Sequence, residues 1–265
     1  MRRLPLYQVD AFADEVFSGN PAAVCVLTER LADDVLQAIA AENNLSETAF
    51  IEAERDPMPL RWFTPREEVP LCGHATLAAA FVVMRYLAPE RRRVEFLTVA
   101  GRLTVSREGA SFTLDFPALE LRPVSTPSPQ LRSGLGVEAK EIWICDEDPN
   151  YFVFLDSESA LVSLEPRFDQ LERLHPYGVA VSARSESSDF VSRYFAPGYG
   201  IPEDPVTGSI HCALAPWWAK RLGRSSLSAR QLSLRGGRLD LEVGETRVRI
   251  TGRAVGYLEG QILLP

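Results

Sequence analysis

Short alternating or β-branched runs dominate this chain, with only a few stretches of helical period between them. Tyr7 to Phe12, Ala22 to Leu27, Thr48 to Ala53, Leu60 to Phe63, Val94 to Val99, Leu103 to Val105 and Ser111 to Phe116 read as strands. A second series follows: Ile142 to Cys145, Phe152 to Leu155, Val179 to Ser182, Phe190 to Phe195, Gln231 to Leu234, Leu239 to Val243 and Val248 to Thr251. Alternation is clearest in Ser111-Phe112-Thr113-Leu114-Asp115-Phe116 and in Val248-Arg249-Ile250-Thr251, the pattern of strands with one dry and one wet face. Asp33 to Glu42 turns Val35, Leu36, Ile39 and Ala40 to one side and predicts an amphipathic surface helix. Ala75 to Met84, just after His74, is apolar on all sides and broken only by Thr76. Such a helix must be surrounded by protein. With strands before and after it, the economical arrangement is a curved sheet wrapped around a central helix. The corresponding stretch in the second series, Ser209 to Leu222, contains Pro216. That proline removes one N–H and predicts a kink near Cys212 and Ala213.

The two series are copies. Arg61-Trp62-Phe63-Thr64-Pro65 returns 132 residues later as Arg193-Tyr194-Phe195-Ala196-Pro197. Pro70-Leu71-Cys72-Gly73-His74 returns after 135 as Pro205-Val206-Thr207-Gly208-Ser209, and Gly101-Arg102-Leu103 after 136 as Gly237-Arg238-Leu239. The period is far longer than the roughly 20–50 residues of solenoid repeats, so it marks a duplicated domain. Pro117, Pro123, Pro127 and Pro129 fall between the copies. Prolines at this density disfavour helix and central strand alike. The expected division is therefore residues 1–118 and 119–265, with a connection at about 117–130. The fold class expected is α+β: two pseudo-symmetric domains, each a mostly antiparallel β-roll or barrel around a central apolar helix.

Composition narrows the function classes. At 265 residues the chain is long enough for two cores. A net charge of −8 leaves no basic patch to neutralise phosphates, so no nucleic-acid partner is expected. The longest apolar run, 75–84, is well short of the ~20 residues that span a bilayer, so no membrane partner is expected either. Arg2 and Arg3 have no apolar region behind them to make a signal peptide. Cys25, Cys72, Cys145 and Cys212 show no CxxC spacing. A reduced, cytoplasmic protein is the expectation.

The candidate chemistry lies at the repeated turns. Each enters a helix through a glycine, Gly73 or Gly208. The first N–H groups of such a helix are unpaired and carry the positive end of its dipole, and a glycine lets a ligand approach the backbone. Two such termini would hold a carboxylate or stabilise a carbanion; read blandly, both are ordinary caps, with Ser209 a good N-cap residue. His74 is either an oxyanion donor or acid/base near neutral pH, or a cap on the buried helix. Cys72 is either a reactive thiol at a helix start or a small buried hydrophobe. Glu47 stands where helix gives way to strand with apolar residues on both sides; such a carboxylate serves as a proton shuttle if it is pushed toward the core, and is an ordinary edge residue otherwise. Asp204 either contacts His74 or substrate, or supports its turn. Asn20 is by default a turn residue. Cys72, His74, His211 and Cys212 would be four metal-type ligands if the helix starts met, but adjacent His211 and Cys212 point in different directions and the spacing matches no usual site. No metal is expected.

Taken together, Asp10-Ala11-Phe12 with Ser18-Gly19-Asn20-Pro21, Asn44-Leu45-Ser46-Glu47-Thr48-Ala49-Phe50, Cys72-Gly73-His74-Ala75-Thr76 and Glu203-Asp204-Pro205-Val206-Thr207-Gly208-Ser209 resemble the phenazine-biosynthesis PhzF-like family. The motifs spread over nearly the whole chain. The resemblance implies the diaminopimelate-epimerase fold, an active site in the cleft between the domains, a homodimer, and isomerisation of a small carboxylate-bearing metabolite without metal or organic cofactor. Characterised members isomerise dihydro-3-hydroxyanthranilate. By resemblance Glu47 takes a proton from one carbon and returns it to another. His74, Asp204 and Ser209 polarise and hold the substrate, and Asn20, Ser46, Gly73 and Gly208 line the pocket. Racemases and epimerases of the same fold use one cysteine from each half. This chain keeps Cys72 but has Thr207 at the second turn, and a hydroxyl does not replace a thiolate as base near pH 7. An amino-acid or hydroxy-acid epimerase, or a catalytically idle metabolite-binding protein, are the alternatives.

Overall fold

A computed structural model describes residues 2–264. In chain order the elements are β1 (Arg2–Ala11), β2 (Asn20–Leu27), α1 (Asp33–Asn43), β3 (Glu47–Glu52), β4 (Met58–Phe63), β5 (Glu68–Val69), α2 (Gly73–Val82), β6 (Arg93–Thr98), β7 (Gly101–Glu108), β8 (Ser111–Pro117) and β9 (Arg122–Pro123). They continue with α3 (Pro129–Leu135), β10 (Glu141–Cys145), β11 (Asn150–Phe154), α4 (Glu158–Val162), α5 (Phe168–Leu171), β12 (Gly178–Arg184), β13 (Phe190–Ala196), β14 (Ile201–Asp204), α6 (Gly208–Leu222), β15 (Ser226–Gln231), β16 (Gly237–Val243) and β17 (Arg247–Leu264). No helix among the described residues is long and apolar enough to cross a membrane.

The chain forms two compact units. One holds the residues up to Asp115 together with those from Ile250 onward, and the other holds Phe116–Arg249. This departs from a division at 118/119 in two respects: the boundary falls at 115/116, and the last strand returns to the first unit. β17 pairs antiparallel with β1 from Arg2↔Leu264 to Ala11↔Ala254. Sequence reading saw only its start, because Gly252, Gly256 and Gly260 break the apolar alternation.

In the first unit β1 pairs antiparallel with β2, β2 parallel with β3, β3 antiparallel with β4, β4 parallel with β6, and β6–β7–β8 run antiparallel. β8 pairs with β17, so the ladder closes on itself and leaves no long edge open. α2 packs on β1, β2 and β3, and nine of its ten residues are buried, as a helix apolar on every side demands. α1 lies over a separate cluster of Leu4, Leu27, Leu36, Ile39, Phe50 and Phe63. Its inward face is Leu36, Ile39 and Ala40, with Val35 half-buried.

The second unit repeats this order. β10 is antiparallel to β11, β11 parallel to β12, β12 antiparallel to β13, β13 parallel to β15, and β15 antiparallel to β16. β5 and β14 hold the same place after β4 and β13. α4 and α5 take the place of α1 between β11 and β12, and α3 is added before β10. α3, α4 and α5 cover β11–β13 through Leu131, Leu135, Leu161 and Leu171. Sequence reading missed them because each is only four to seven residues long.

One expectation changes in this unit. The strand placed at Gln231–Leu234 is Ser226–Gln231, and Leu234 is fully exposed. Its inward positions are Leu227, Ala229 and the polar Gln231, which hid the true register. The helix that contains Pro216 runs without a break in its span over Gly208–Leu222. The carbonyl that Pro216 leaves without a helical partner is that of Cys212, and the Leu119 N–H donates to it at 3.0 Å. The connector thereby satisfies the group that the proline frees.

Candidate active site

In the first unit three predicted residues meet at the starts of three elements. Asn20 opens β2, Glu47 opens β3 and His74 lies on the first turn of α2. The parallel register pairs Ala22 with Glu47, so Asn20 and Glu47 are at the same end of neighbouring strands. His74 is buried. Its Nδ1 lies 3.2 Å from the Asn20 amide nitrogen and 3.5 Å from Cys72 Sγ. Its Nε2 approaches Glu47 Oε2 to 3.2 Å, and the Glu47 side chain is 12% exposed. That approach lacks hydrogen-bond alignment, which leaves the buried Nε2 without an aligned partner. Burial lowers the His74 pKa to about 3, so the ring is neutral near pH 7.

The loop delivering Asn20 is pinned locally. Asp10 Oδ2 accepts from the Phe17 N–H at 2.9 Å. Gly19 has φ +64°, and a Cβ there would lie 2.2 Å from the Ala11 carbonyl oxygen. Only glycine takes that conformation at that separation. Ser46 is half-buried, immediately before Glu47.

α2 starts without a side-chain cap and without an acidic residue in its first turn. Thr76 closes the turn by donating from Oγ1 and N to the Cys72 carbonyl. Gly73 is buried and contributes no side chain. By contrast, Ser128 and Ser157 cap α3 and α4 with their hydroxyls. α6 likewise begins with no side-chain cap and no acidic residue. Both central helices thus present the first-turn donors that a carboxylate or oxyanion takes.

The turn of the second unit is tied differently. Thr207 Oγ1 donates to Asp204 Oδ2. Gln231 accepts from the Thr207 N–H at 2.9 Å and donates to the Asp204 carbonyl at 2.8 Å. Asp204 is therefore a turn support as well as a candidate ligand. Gly208 begins α6 and is buried, and Ser209 is half-buried on its first turn. Sequence reading missed Gln231, which belongs to no repeated motif.

A repeated ion pair braces both turns and was also missed. Arg61 on β4 donates to Glu68 of β5 at 2.6 Å through two nitrogens. Arg193 on β13 donates to Glu203 of β14 at 2.7 and 3.0 Å. Each guanidinium lies 5.0 Å over a ring two residues on, Phe63 or Phe195. The signal was present: Glu68 and Glu203 stand 135 residues apart, the offset of the turns themselves.

The donor sets do not suit a metal ion as arranged. Ligand atoms of Glu47, Cys72 and His74 lie within 4.8 Å of one another. However, the thiol faces Nδ1 and the carboxylate faces Nε2, and one ion cannot use both lone-pair directions of one ring. His211 is committed elsewhere. Its Nδ1 donates to the Thr207 carbonyl at 2.7 Å and its Nε2 faces Ser192 Oγ at 3.4 Å. Burial pushes the Cys212 thiol well up.

Comparison with known proteins agrees with this architecture. A Pseudomonas aeruginosa protein named as an uncharacterized isomerase is 50% identical over 98% of this chain and 99% of its own. Two further relatives named as uncharacterized isomerases are 46% and 41% identical. The crystal structure of a phenazine biosynthesis protein of the PhzF family from Enterococcus faecalis superposes with TM-score 0.93 at 44% identity, covering 99% of this chain and 100% of that one. A probable proline racemase from Agrobacterium radiobacter shares the fold at TM-score 0.69 and 13% identity, over 99% of this chain and 93% of its own. Residues 9–260 match the PhzC-PhzF family, described as phenazine biosynthesis-like protein, and the chain belongs to that family.

Proposed function

We propose that this protein is an isomerase that moves a proton between two carbons of a small carboxylate-bearing metabolite, with Glu47 as the carrier. The observation that carries the reading is the largely buried Glu47 carboxylate beside a neutral His74 whose Nε2 has no aligned partner. A neutral imidazole carries no positive charge to tie up the carboxylate in an ion pair, which leaves Glu47 to serve as the base in this reading. The ring N–H is available to a substrate oxygen on which negative charge develops.

In this reading the uncapped start of α2 adds backbone donors. Asp204 and Ser209, with the start of α6, are assigned to the substrate's carboxylate and hydroxyl, and Ser46, Gly73 and Gly208 to the pocket wall. Glu47 abstracts a proton, the electron pair delocalises toward the polarised group, and the protonated carboxyl returns the proton to a second carbon. No organic cofactor is required, because the carbanion is stabilised by the substrate's own unsaturation and by fixed donors.

A two-thiol epimerase is disfavoured by the second turn. The hydroxyl of Thr207 is held by Asp204, and the thiol of Cys212 is raised by burial rather than activated. The test is NMR of a panel of small unsaturated carboxylic acids in D2O with the protein. Deuterium at a new carbon supports isomerisation. Inversion with exchange at the original carbon contradicts it and indicates an epimerase, and tight binding without exchange indicates a binding protein.

A further inference from the structure

We propose that Asn20 is a positioning residue that fixes His74 in the tautomer bearing its proton on Nε2. This deepens the reading of Glu47 and His74 above and rests on it for its catalytic consequence, but not for its structural content.

Donors and acceptors must match around a ring closed off from water. Two groups face Nδ1: the Asn20 amide nitrogen at 3.2 Å and the Cys72 thiol at 3.5 Å. Both are donors toward a ring lone pair. One group faces Nε2, the Glu47 carboxylate at 3.2 Å, which has only acceptor oxygens when ionised. A proton on Nε2 therefore leaves the Nδ1 lone pair to its two donors and turns the ring N–H toward the acceptor side, where the Glu47 carboxylate is near but not aligned to take it. A proton on Nδ1 would point at amide hydrogens and set the Nε2 lone pair against the carboxylate oxygens. In a buried setting such a mismatch costs several-fold more than in water.

Asn20 is better placed than Cys72 to set this preference. An amide N–H is a stronger donor than a thiol, and the Asn20 amide is the nearer group. Its backbone is also fixed by two independent devices, the β1–β2 pairing of Ala11 with Asn20 and the left-handed Gly19 jammed against the Ala11 carbonyl. Asn20 itself is fully buried. The side chain thus arrives at Nδ1 from a rigid strand end rather than from a mobile loop. The consequence for chemistry is directional: Nε2 is held as the donor on the Glu47 side, and the ring is not left to exchange its proton between nitrogens.

The experiment reads the tautomer directly in the substrate-free protein, by two-bond 15N–1H correlation NMR of uniformly labelled protein with His74 assigned through His74→Gln. Wild type is expected to show a protonated Nε2 and a bare Nδ1. Cys72→Ala should leave this pattern unchanged. Asn20→Asp, which replaces the donor by an acceptor, should bring a proton onto Nδ1, and turnover of a substrate found by the exchange screen should fall by ~10²-fold or more. A wild-type protein with its proton on Nδ1 overturns the proposal, as does Asn20→Asp with Nδ1 still bare. If Asn20→Asp does not fold, the wild-type and Cys72→Ala spectra still decide: loss of the tautomer in Cys72→Ala would transfer the role to the thiol. Because no substrate is present, a failure here is separate from a failure of the isomerase reading. That reading would survive with His74 as donor and another residue orienting it.

Discussion

His74 Nε2 and Glu47 Oε2 lie 3.2 Å apart although 27 residues separate them in the chain. They are brought together because β3 begins where the closed ladder of strands meets the start of its central helix. The carboxylate comes from a strand end and the imidazole from a first helical turn. Neither is a loop residue free to drift, which is what a proton transfer within hydrogen-bond reach requires.

The two buried imidazoles give the fold a definite pH dependence. Burial lowers His74 to about 3 and His211 to about 4, against about 6.5 in an unfolded chain. The unfolded state therefore binds more protons than the folded state between these values. The contribution of these groups to stability rises with pH from about 3 for His74 and about 4 for His211 to about 6.5 and is flat above. Urea unfolding from pH 4.5 to 8 should show this rise, shallower in His74→Gln. A wild-type stability that climbs as pH falls through this window would contradict the neutral assignment.

The ion pairs bracing the two turns should differ in worth. Arg193 and Glu203 are 12% and 22% exposed, and Arg193 also donates to the Leu161 and Leu164 carbonyls at 3.3 and 2.9 Å. Arg61 and Glu68 are 25% and 35% exposed, and water screens them more. Arg193→Lys should destabilise by ~1–3 kcal/mol, and Arg61→Lys by less than about 1 kcal/mol. Denaturant midpoints at constant m-value measure both. Arg61 has a second partner too, the exposed Asp33 at 2.6 Å, so equal losses would show that the tie to the 161–164 carbonyls adds no more than that exposed pair.

Much of this was legible in the sequence, and the exceptions share a cause. The duplication, both central helices and the turns at Gly73 and Gly208 follow from apolar period and repeated glycines. The meeting of Glu47, His74 and Asn20 was named through family resemblance. Their spacing alone does not reveal it, because it depends on strand register between distant segments. Gln231 went unrecognised because a buried polar residue breaks the very alternation that locates a strand. The 254–264 half of β17 was missed because glycines interrupt it and none of its residues is buried, so no apolar stripe marks it. Asp204 was left with three readings, and the structure shows one of them, support of its turn.

Gly19 offers a separate test of how Asn20 is placed. Gly19→Ala puts a Cβ 2.2 Å from the Ala11 carbonyl oxygen in addition to the strain of φ +64°. Gly109→Ala meets only strain, at φ +59° with nothing within 4 Å. The second change should cost about 1–2 kcal/mol and leave exchange activity intact. The first should cost more and also depress exchange activity, since it moves the segment that carries Asn20. Thermal unfolding and a D2O exchange assay on both variants distinguish the outcomes. Equal behaviour would remove the argument for close approach at Gly19.

Glu47 as the carrier of the proton is tested by following deuterium. A substrate found by the exchange screen is incubated in D2O with wild type and with Glu47→Gln, and deuterium at each carbon is followed by NMR. The variant keeps the size of the side chain and removes its ability to carry a proton. Wild type should place deuterium at a new carbon, and Glu47→Gln should lose that incorporation by ~10²–10⁴-fold with an unchanged unfolding midpoint. A folded Glu47→Gln protein that isomerises the substrate at the wild-type rate would contradict the account.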